Sequence, residues 1–459
     1  MEAQKVMTPS STPDVLIIGG GLAGLSAAVA LTSQRYSVLL VEQRQRLGGR
    51  TYSFVHPETG DEVDNGQHLM MGCYHSTLNY LGMIDKLSLV EIQPNLSIVF
   101  RDPKKSSSSL KTISLPAPFN VLAGLLNLET LSFSNRLALL RVGISLLFKN
   151  PDTDKHLQSI SVAQWLDELK QPIENKKYLW DIIAIGALND STDRISASLF
   201  VKVLKSAFFG SRKNSSMVIP KKGLSSVLVD GAVEYIQKRG GKILTNVSVK
   251  QISIRASHLE SVTLESGEVI KPTMVISAVP YFDIPKLFGN AESIGLNNID
   301  KFVSSPIITI HLWLDAHFMQ EQFAALLDSP IHWVFNKSKI YGRENEGLMY
   351  LALVVSGAHD LVEKEKDEIV EIAHCELKRF YPTASVAKVI HSLIIKEKRA
   401  TFSPKVGLDQ FRPGHQTAVD NLFLAGDWTD TKLPATIEGA VQSGFDCANA
   451  IDKIFISKR

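Results

Sequence analysis

Residues 14–24 read Asp-Val-Leu-Ile-Ile-Gly-Gly-Gly-Leu-Ala-Gly, an apolar run that breaks into glycines and resumes as the small-residue stretch Leu25–Leu31. The pattern predicts a buried strand, a tight turn and a helix. Gly19 permits the turn, Gly21 lets backbone amides approach a pyrophosphate, and Gly24 lets the helix pack closely on the strand. The positive end of that helix faces the anion. A second apolar strand, Ser37–Val41, ends in Glu42, eighteen residues after Gly24. An acid there accepts ribose hydroxyls and repels a 2′-phosphate, which disfavours NADP. The expected fold class is therefore α/β, with a Rossmann-like dinucleotide-binding domain.

At 459 residues the chain is long enough for two or three domains. Its 44% apolar and 21% charged residues are those of a globular protein. A net charge of +2, from 49 basic and 47 acidic residues, gives no field that would favour nucleic acid. Cys73, Cys375 and Cys447 are too few and too scattered for a disulfide framework or a zinc site, so no metal is expected and a reducing cytoplasm fits. Residues 1–12 are polar, lack a signal-peptide core and read as a flexible tail.

Beyond Glu42, Leu47-Gly48-Gly49-Arg50-Thr51 can bring backbone close to a ligand, and Arg50 offers a forked cation to phosphate oxygens. From about residue 81 to 216 this pattern gives way to strands near Leu96–Arg101 and Lys111–Leu115, a serine loop at Ser106–Ser109 and mostly helical stretches. Residues 119–148 are strongly apolar but interrupted by Glu129, Asn135, Arg136 and Arg141, which predicts two helices and no bilayer span. Those helices either bury their faces in a substrate domain or form an interfacial membrane patch anchored by Arg136, Arg141 and Lys149, on the inner face of a cytoplasmic membrane. The α/β pattern returns with a helix over Ser225–Arg239 and strands over Lys242–Val249, Gln251–Arg255, Ser261–Leu264 and Met274–Ala278. The edge at Val247 and Val249 either offers hydrogen bonds to adenine or is ordinary core. A second insertion carries strands Ile307–Leu314 and Leu348–Val355 and a helix over Lys364–Phe380. The expected division is a dinucleotide-binding domain from residues 13–80, 217–288 and 401–459, and a mixed α+β substrate-binding domain inserted as 81–216 and 289–400.

Near the C-terminus, Leu422-Phe-Leu-Ala-Gly-Asp427 predicts a strand ending in an acid, followed by a loop and a helix opening at Thr436. Asp427 can accept hydrogen bonds from a sugar chain, and the amides of Ile437, Glu438 and Gly439 can stabilise negative charge. Reduced flavin carries such charge, so the motif suits a flavin better than a nicotinamide.

Taken together, these segments resemble the FAD-binding segments of the amine oxidase and phytoene desaturase superfamily. The resemblance narrows at Val63-Asp-Asn-Gly-Gln-His-Leu-Met-Met-Gly-Cys-Tyr74, at Ala187-Leu-Asn189 and at Gly426-Asp-Trp-Thr429 with Leu433–Ala440. There it is to the squalene-associated FAD-dependent desaturases, the hydroxysqualene dehydroxylases, and it extends over nearly the whole chain after the tail. It implies an FAD held by Gly19, Gly21, Gly24, Glu42, Gly49, Arg50, Gly66, Gln67, Val249, Gly426, Asp427, Thr436, Ile437 and Glu438. It also implies a long isoprenoid substrate and reductive removal of a hydroxyl on the route toward hopanoids or sterols. Lys432 stands where the family pattern leads one to expect glycine.

Such chemistry needs an acid to protonate the leaving hydroxyl, an apolar tunnel and a fixed hydride distance. His68 is the leading candidate acid because imidazole titrates near neutrality, with an alternative role of orienting its loop or the flavin. Glu438 is another ionisable group near the flavin, with helix capping as its stronger reading; Tyr74 and Asp190 are weaker candidates. No second glycine fingerprint follows a strand, so reducing equivalents are expected from an external reductase or transient NAD(P)H. Competing readings are a carotenoid or phytoene desaturase, an amine oxidase with an aromatic cage and a lysine, for which no residue stands out, and a non-catalytic prenyl-binding escort.

Overall fold

The computed structural model describes residues 12–104, 107–344 and 346–457. The expected tail, apart from residue 12, lies outside them, as does Ser106 of the expected serine loop. Strand Val15–Ile18 lies at the centre of a five-stranded parallel sheet, between Val38–Glu42 and Met274–Ser277, with Lys242–Thr245 and Leu422–Leu424 at the edges. All four residues of the central strand are apolar because both faces of the sheet are covered. Val15 and Ile17 pack with the helices Leu22–Ser33 and Ile437–Ser457, while Leu16 and Ile18 pack with a three-stranded antiparallel sheet of Val249–Arg255, His258–Leu264 and Val269–Ile270. The fold class is α/β with a Rossmann-like core, as expected.

A seven-stranded sheet gathers most of the other strands, in the order Val389–Phe402, Ser304–Leu314, Met349–Ser356, Trp333–Asn336, Phe323–Leu326, Ser97–Arg101 and Ser108–Lys111. Its neighbours run antiparallel except Phe323–Leu326 against Ser97–Arg101. Helices from residues 119–208 cover one face, and the helix Lys366–Phe380 covers the other.

Three local expectations need correction. The helix expected over Ser225–Arg239 is divided at Val229 into Leu224–Leu228 and Asp230–Lys238; Val229, with φ −116° and ψ −54°, lays its side chain against Gly48. The strand expected through Val249 ends at Thr245, where Asn246 turns left-handed (φ 58°) and passes the chain to the other sheet. The strand expected over Lys111–Leu115 is Ser108–Lys111, since Ser108 is buried against the Thr130 hydroxyl instead of lying in the loop. The apolar stretch 119–148 does form two helices, Phe119–Leu126 and Phe133–Phe148, the second capped by Ser132, whose hydroxyl accepts from the Asn135 amide.

Candidate functional site

The glycine turn connects the central strand to helix Leu22–Ser33, whose first residue is preceded by Gly21 with no side-chain cap. Its first-turn amides are thus left for an incoming anion. Gly19 has φ +111°, and a Cβ there would meet the Ala278 carbonyl oxygen at 2.8 Å; one on Gly24 would meet the Gly19 oxygen at 2.0 Å. A Cβ on Gly21 would meet nothing within 4 Å. Protein packing therefore accounts for Gly19 and Gly24, and the empty space at Gly21 is what a pyrophosphate needs. Gly48 donates to the Gly20 carbonyl (2.8 Å), which brings Gly49 against Gly21. Glu42 reaches back over the turn, accepting from the Gly20 amide (2.7 Å) with one oxygen and from the Arg44 amide (2.8 Å) with the other. Beside it, Val247 donates to the Glu42 carbonyl (2.9 Å), while Val249 pairs with Leu264 in the antiparallel sheet.

The two ends of the chain meet at Arg50. Its Nη2 donates to both oxygens of Asp427 at 2.8 and 2.9 Å, and its Nη1 donates to the Ala400 carbonyl. This pairing, across 377 residues, joins the two motifs read separately in the sequence. The buried Arg412, which the sequence did not single out, donates to the carbonyls of Asp427, Trp428 and Thr429 and holds the loop after the acid. Thr436 caps the C-terminal helix by accepting from the Gly439 amide (3.2 Å). Glu438 is buried and its carboxylate turns away to cap another helix, His75–Met83: it accepts from the Ser76 and Thr77 amides (both 2.8 Å) and the Thr77 hydroxyl (2.7 Å). With both oxygens committed, Glu438 is not an available acid, and only its backbone amide can serve a cofactor.

Between these motifs lies the Asp64–His68 loop. Asp64 is almost fully buried and accepts from Ser53 Oγ (2.7 Å), the Leu224 amide (2.8 Å) and Lys337 Nζ (2.9 Å). Burial opposes its ionisation, but the Lys337 charge and these donors hold its carboxyl below the usual range. Lys337 is wholly buried; it also donates to Gln67 Oε1 (2.6 Å) and lies over the Tyr341 ring. The Gln67 side chain is therefore spent on the lysine, leaving its backbone to face a ligand. A Cβ on Gly66 would lie 3.6 Å from His68 Nε2 and 3.8 Å from Thr309 Oγ1, which places these side chains together. Burial pushes the His68 imidazole down to about 4, with Asp64 opposing and Arg50 and Lys337 adding to the fall. That fall runs against the expectation that His68 titrates near neutrality and counts against it as a proton donor at neutral pH.

The remaining candidate acids fare no better. Burial pushes the Tyr74 phenol upward, and Asp190, fully buried, accepts from Ser403 Oγ and the Ser191 amide and lies 3.4 Å from His359. Asn189 is structural too. Left-handed at the end of helix Asp181–Leu188, it donates to the Ser305 carbonyl and Thr401 hydroxyl and accepts from the Gly357 amide (2.7 Å), stapling the helix to the large sheet. Lys337 and Arg412 are the residues around the candidate site that sequence reasoning missed.

A family model described as flavin containing amine oxidoreductase matches residues 22–452. The chain is 28% identical over 437 residues to a hydroxysqualene dehydroxylase from Zymomonas mobilis, covering 94% of this chain and 97% of that one. It is 27% identical over 457 residues to a 15-cis-phytoene desaturase from Synechococcus elongatus, covering 95% of each. Among solved structures, an oxidoreductase from Methanosarcina mazei superposes with a TM-score of 0.74 at 17% identity, over 95% of this chain and 99% of that one. With the glycine cradle, the Arg50–Asp427 junction and these likenesses in hand, the chain belongs to the flavin-containing amine oxidoreductase family, and its cofactor is FAD.

Proposed function

We propose that this chain is an FAD-dependent oxidoreductase of isoprenoid metabolism that removes the hydroxyl group of hydroxysqualene to leave squalene. The observation that carries the reading is His68, a partly buried imidazole on a loop clamped by Lys337. Such a group suits an alcohol and has nothing to hold on a pure hydrocarbon. The full-length similarity to a hydroxysqualene dehydroxylase supports it.

In this reading residues 13–80, 217–288 and 401–459 hold the cofactor, and residues 81–216 and 289–400 hold the substrate. Gly19, Gly21, Gly24, Glu42, Gly49, Arg50 and Val249 serve the adenosine and pyrophosphate end; Gly66, the Gln67 backbone, Gly426, Asp427, Thr436, Ile437 and the Glu438 amide serve the other. Reduced FAD supplies the hydride. His68 orients the allylic hydroxyl by a hydrogen bond, and the Asp64–Lys337 pair fixes the loop that carries it. The carbon–oxygen bond breaks, oxygen leaves with a proton from the medium as water, and the carbon takes the hydride. An external reductase or transient NAD(P)H restores the two electrons.

Anaerobic incubation of the photoreduced holoprotein with hydroxysqualene, followed by lipid analysis, is expected to give squalene and oxidised flavin. The 27% match to a phytoene desaturase favours a second reading, desaturation of a hydrocarbon. Bleaching of the oxidised flavin by phytoene, with no reaction of hydroxysqualene, would establish that reading and overturn the first.

A further inference from the structure

Helix Phe133–Phe148 is apolar on two faces. Ala138, Leu139, Val142 and Leu146 are buried in the protein, yet Phe133, Leu137, Ile144, Leu147 and Phe148 are 71, 44, 56, 61 and 84% exposed. Helical spacing sets Phe133, Leu137, Ile144 and Phe148 along one stripe. Single exposed apolar side chains are ordinary, but a stripe running the length of a helix marks a surface that something covers. The neighbouring helix Phe119–Leu126 is tied to it by Arg136, which donates to the Leu126 and Leu131 carbonyls, and carries the exposed Phe119.

Charge indicates the occupant. Residues 111–148 contain Lys111, Arg136 and Arg141 against Glu129 alone, while Lys149 beside them is paired with Asp154 (2.7 Å), in a chain whose 49 basic and 47 acidic residues otherwise nearly balance. Arg141 lies exposed between Leu137 and Ile144, and its guanidinium donates to the Lys170 carbonyl (3.0 Å); among the described residues no carboxylate pairs with it. A second copy of this chain would set these cations against themselves, whereas an anionic lipid surface would neutralise them. With 16 residues the helix cannot span, and no described helix is long and apolar enough to cross a membrane.

We propose that this face docks on an anionic bilayer, with helix Phe133–Phe148 lying in the plane of the interface and its exposed stripe among the acyl chains. The purpose rests on the isoprenoid reading, since such a substrate resides in membranes; the docking itself does not.

The test is flotation of the holoprotein with vesicles of phosphatidylcholine alone and of phosphatidylcholine with about one third phosphatidylglycerol. Wild type is expected to float with the phosphatidylglycerol vesicles and less with the neutral ones, losing the difference in high salt. The F133S/L137S/I144S/F148S variant is expected to float at least about tenfold less while keeping its flavin spectrum and circular dichroism. R141Q is expected to lose preference for the anionic vesicles. Wild type that stays unbound to both vesicles, or a serine variant that binds equally well, overturns the proposal. So does a wild-type dimer that ignores vesicles and becomes a monomer in the serine variant, which would assign the face to a second copy. Turnover of hydroxysqualene in detergent micelles, assayed alongside, separates failure of the docking face from failure of the assigned reaction.

Discussion

Gly21 and Lys337 show what single residues contribute that a motif does not. Since a Cβ at Gly21 meets no protein atom within 4 Å, Gly21→Ala is expected to fold with an unchanged melting temperature as apoprotein. It is also expected to bind FAD at least about tenfold more weakly, because the methyl group occupies cofactor space; undiminished flavin binding in a titration would remove the pyrophosphate from that turn. Lys337→Met leaves Asp64 buried without its cation and is expected to cost roughly 3–5 kcal/mol in denaturant unfolding, with D64N/K337M recovering part of the loss. No recovery would mean that the two charges act independently. Lys337 was invisible in the sequence because nothing local separates it from the half-exposed Lys339 two residues on, and Asp64 lies 273 residues away. Lys432 is the reverse case. Sequence marked it as a departure, and its φ of 62° shows why glycine fits there: a lysine bears left-handed strain of about 1–2 kcal/mol, offset in part by glycine's greater unfolded freedom. Lys432→Gly is expected to stabilise by up to about 1 kcal/mol, and a melting temperature below wild type would refute this.

At the scale of elements, strands buried on both faces and helices with a clear stop were readable, because the signals are local: a continuous apolar run, a glycine, an interrupting polar residue. The break between the two apolar helices came from such signals, the interrupting polar residues from Glu129 to Arg141, and the structure adds the Ser132 cap. What the sequence concealed were ends set by partners elsewhere. Ser108 joins a strand because Ser97–Arg101 pairs with it, and the helix is divided at Val229, whose side chain lies against the distant Gly48. Glu438 belongs to this class, since its helix supplies the cap for a different one. Glu438→Gln keeps the shape but replaces one acceptor oxygen with a donor that must face the Ser76 amide or the Thr77 amide, so it is expected to cost about 1–3 kcal/mol. Hydrogen exchange provides the check, with protection lost first in helix His75–Met83; uniform loss across the Rossmann-like sheet would show that the carboxylate does something other than cap.

Across the whole molecule, three histidines in or beside the large sheet are expected to make stability sensitive to acid. His311 lies in its strand Ser304–Leu314, His332 precedes its strand Trp333–Asn336, and His68 sits beside Thr309. Burial pushes all three imidazoles down, His68 and His332 to about 4 and His311 to about 3. Each is therefore neutral when folded and takes a proton near pH 6.5 only when the chain unfolds. Protons bound by the unfolded chain alone make stability fall as pH falls, from about pH 6.5 down to the folded values, by up to about 1.4 kcal/mol per pH unit for each histidine. Asp64, held below the usual carboxylate range, adds its own loss only at more acid pH. The denaturation midpoint is thus expected to be level above about pH 7 and to drop steeply between about pH 6.5 and 4.5, with His332→Gln reducing the slope by about one third. Probes should separate the two sheets, tryptophan fluorescence from Trp313 and Trp333 changing before the flavin is released. A midpoint that stays level down to pH 4.5 would mean that these imidazoles reach solvent or a carboxylate, and would restore His68 as a proton donor.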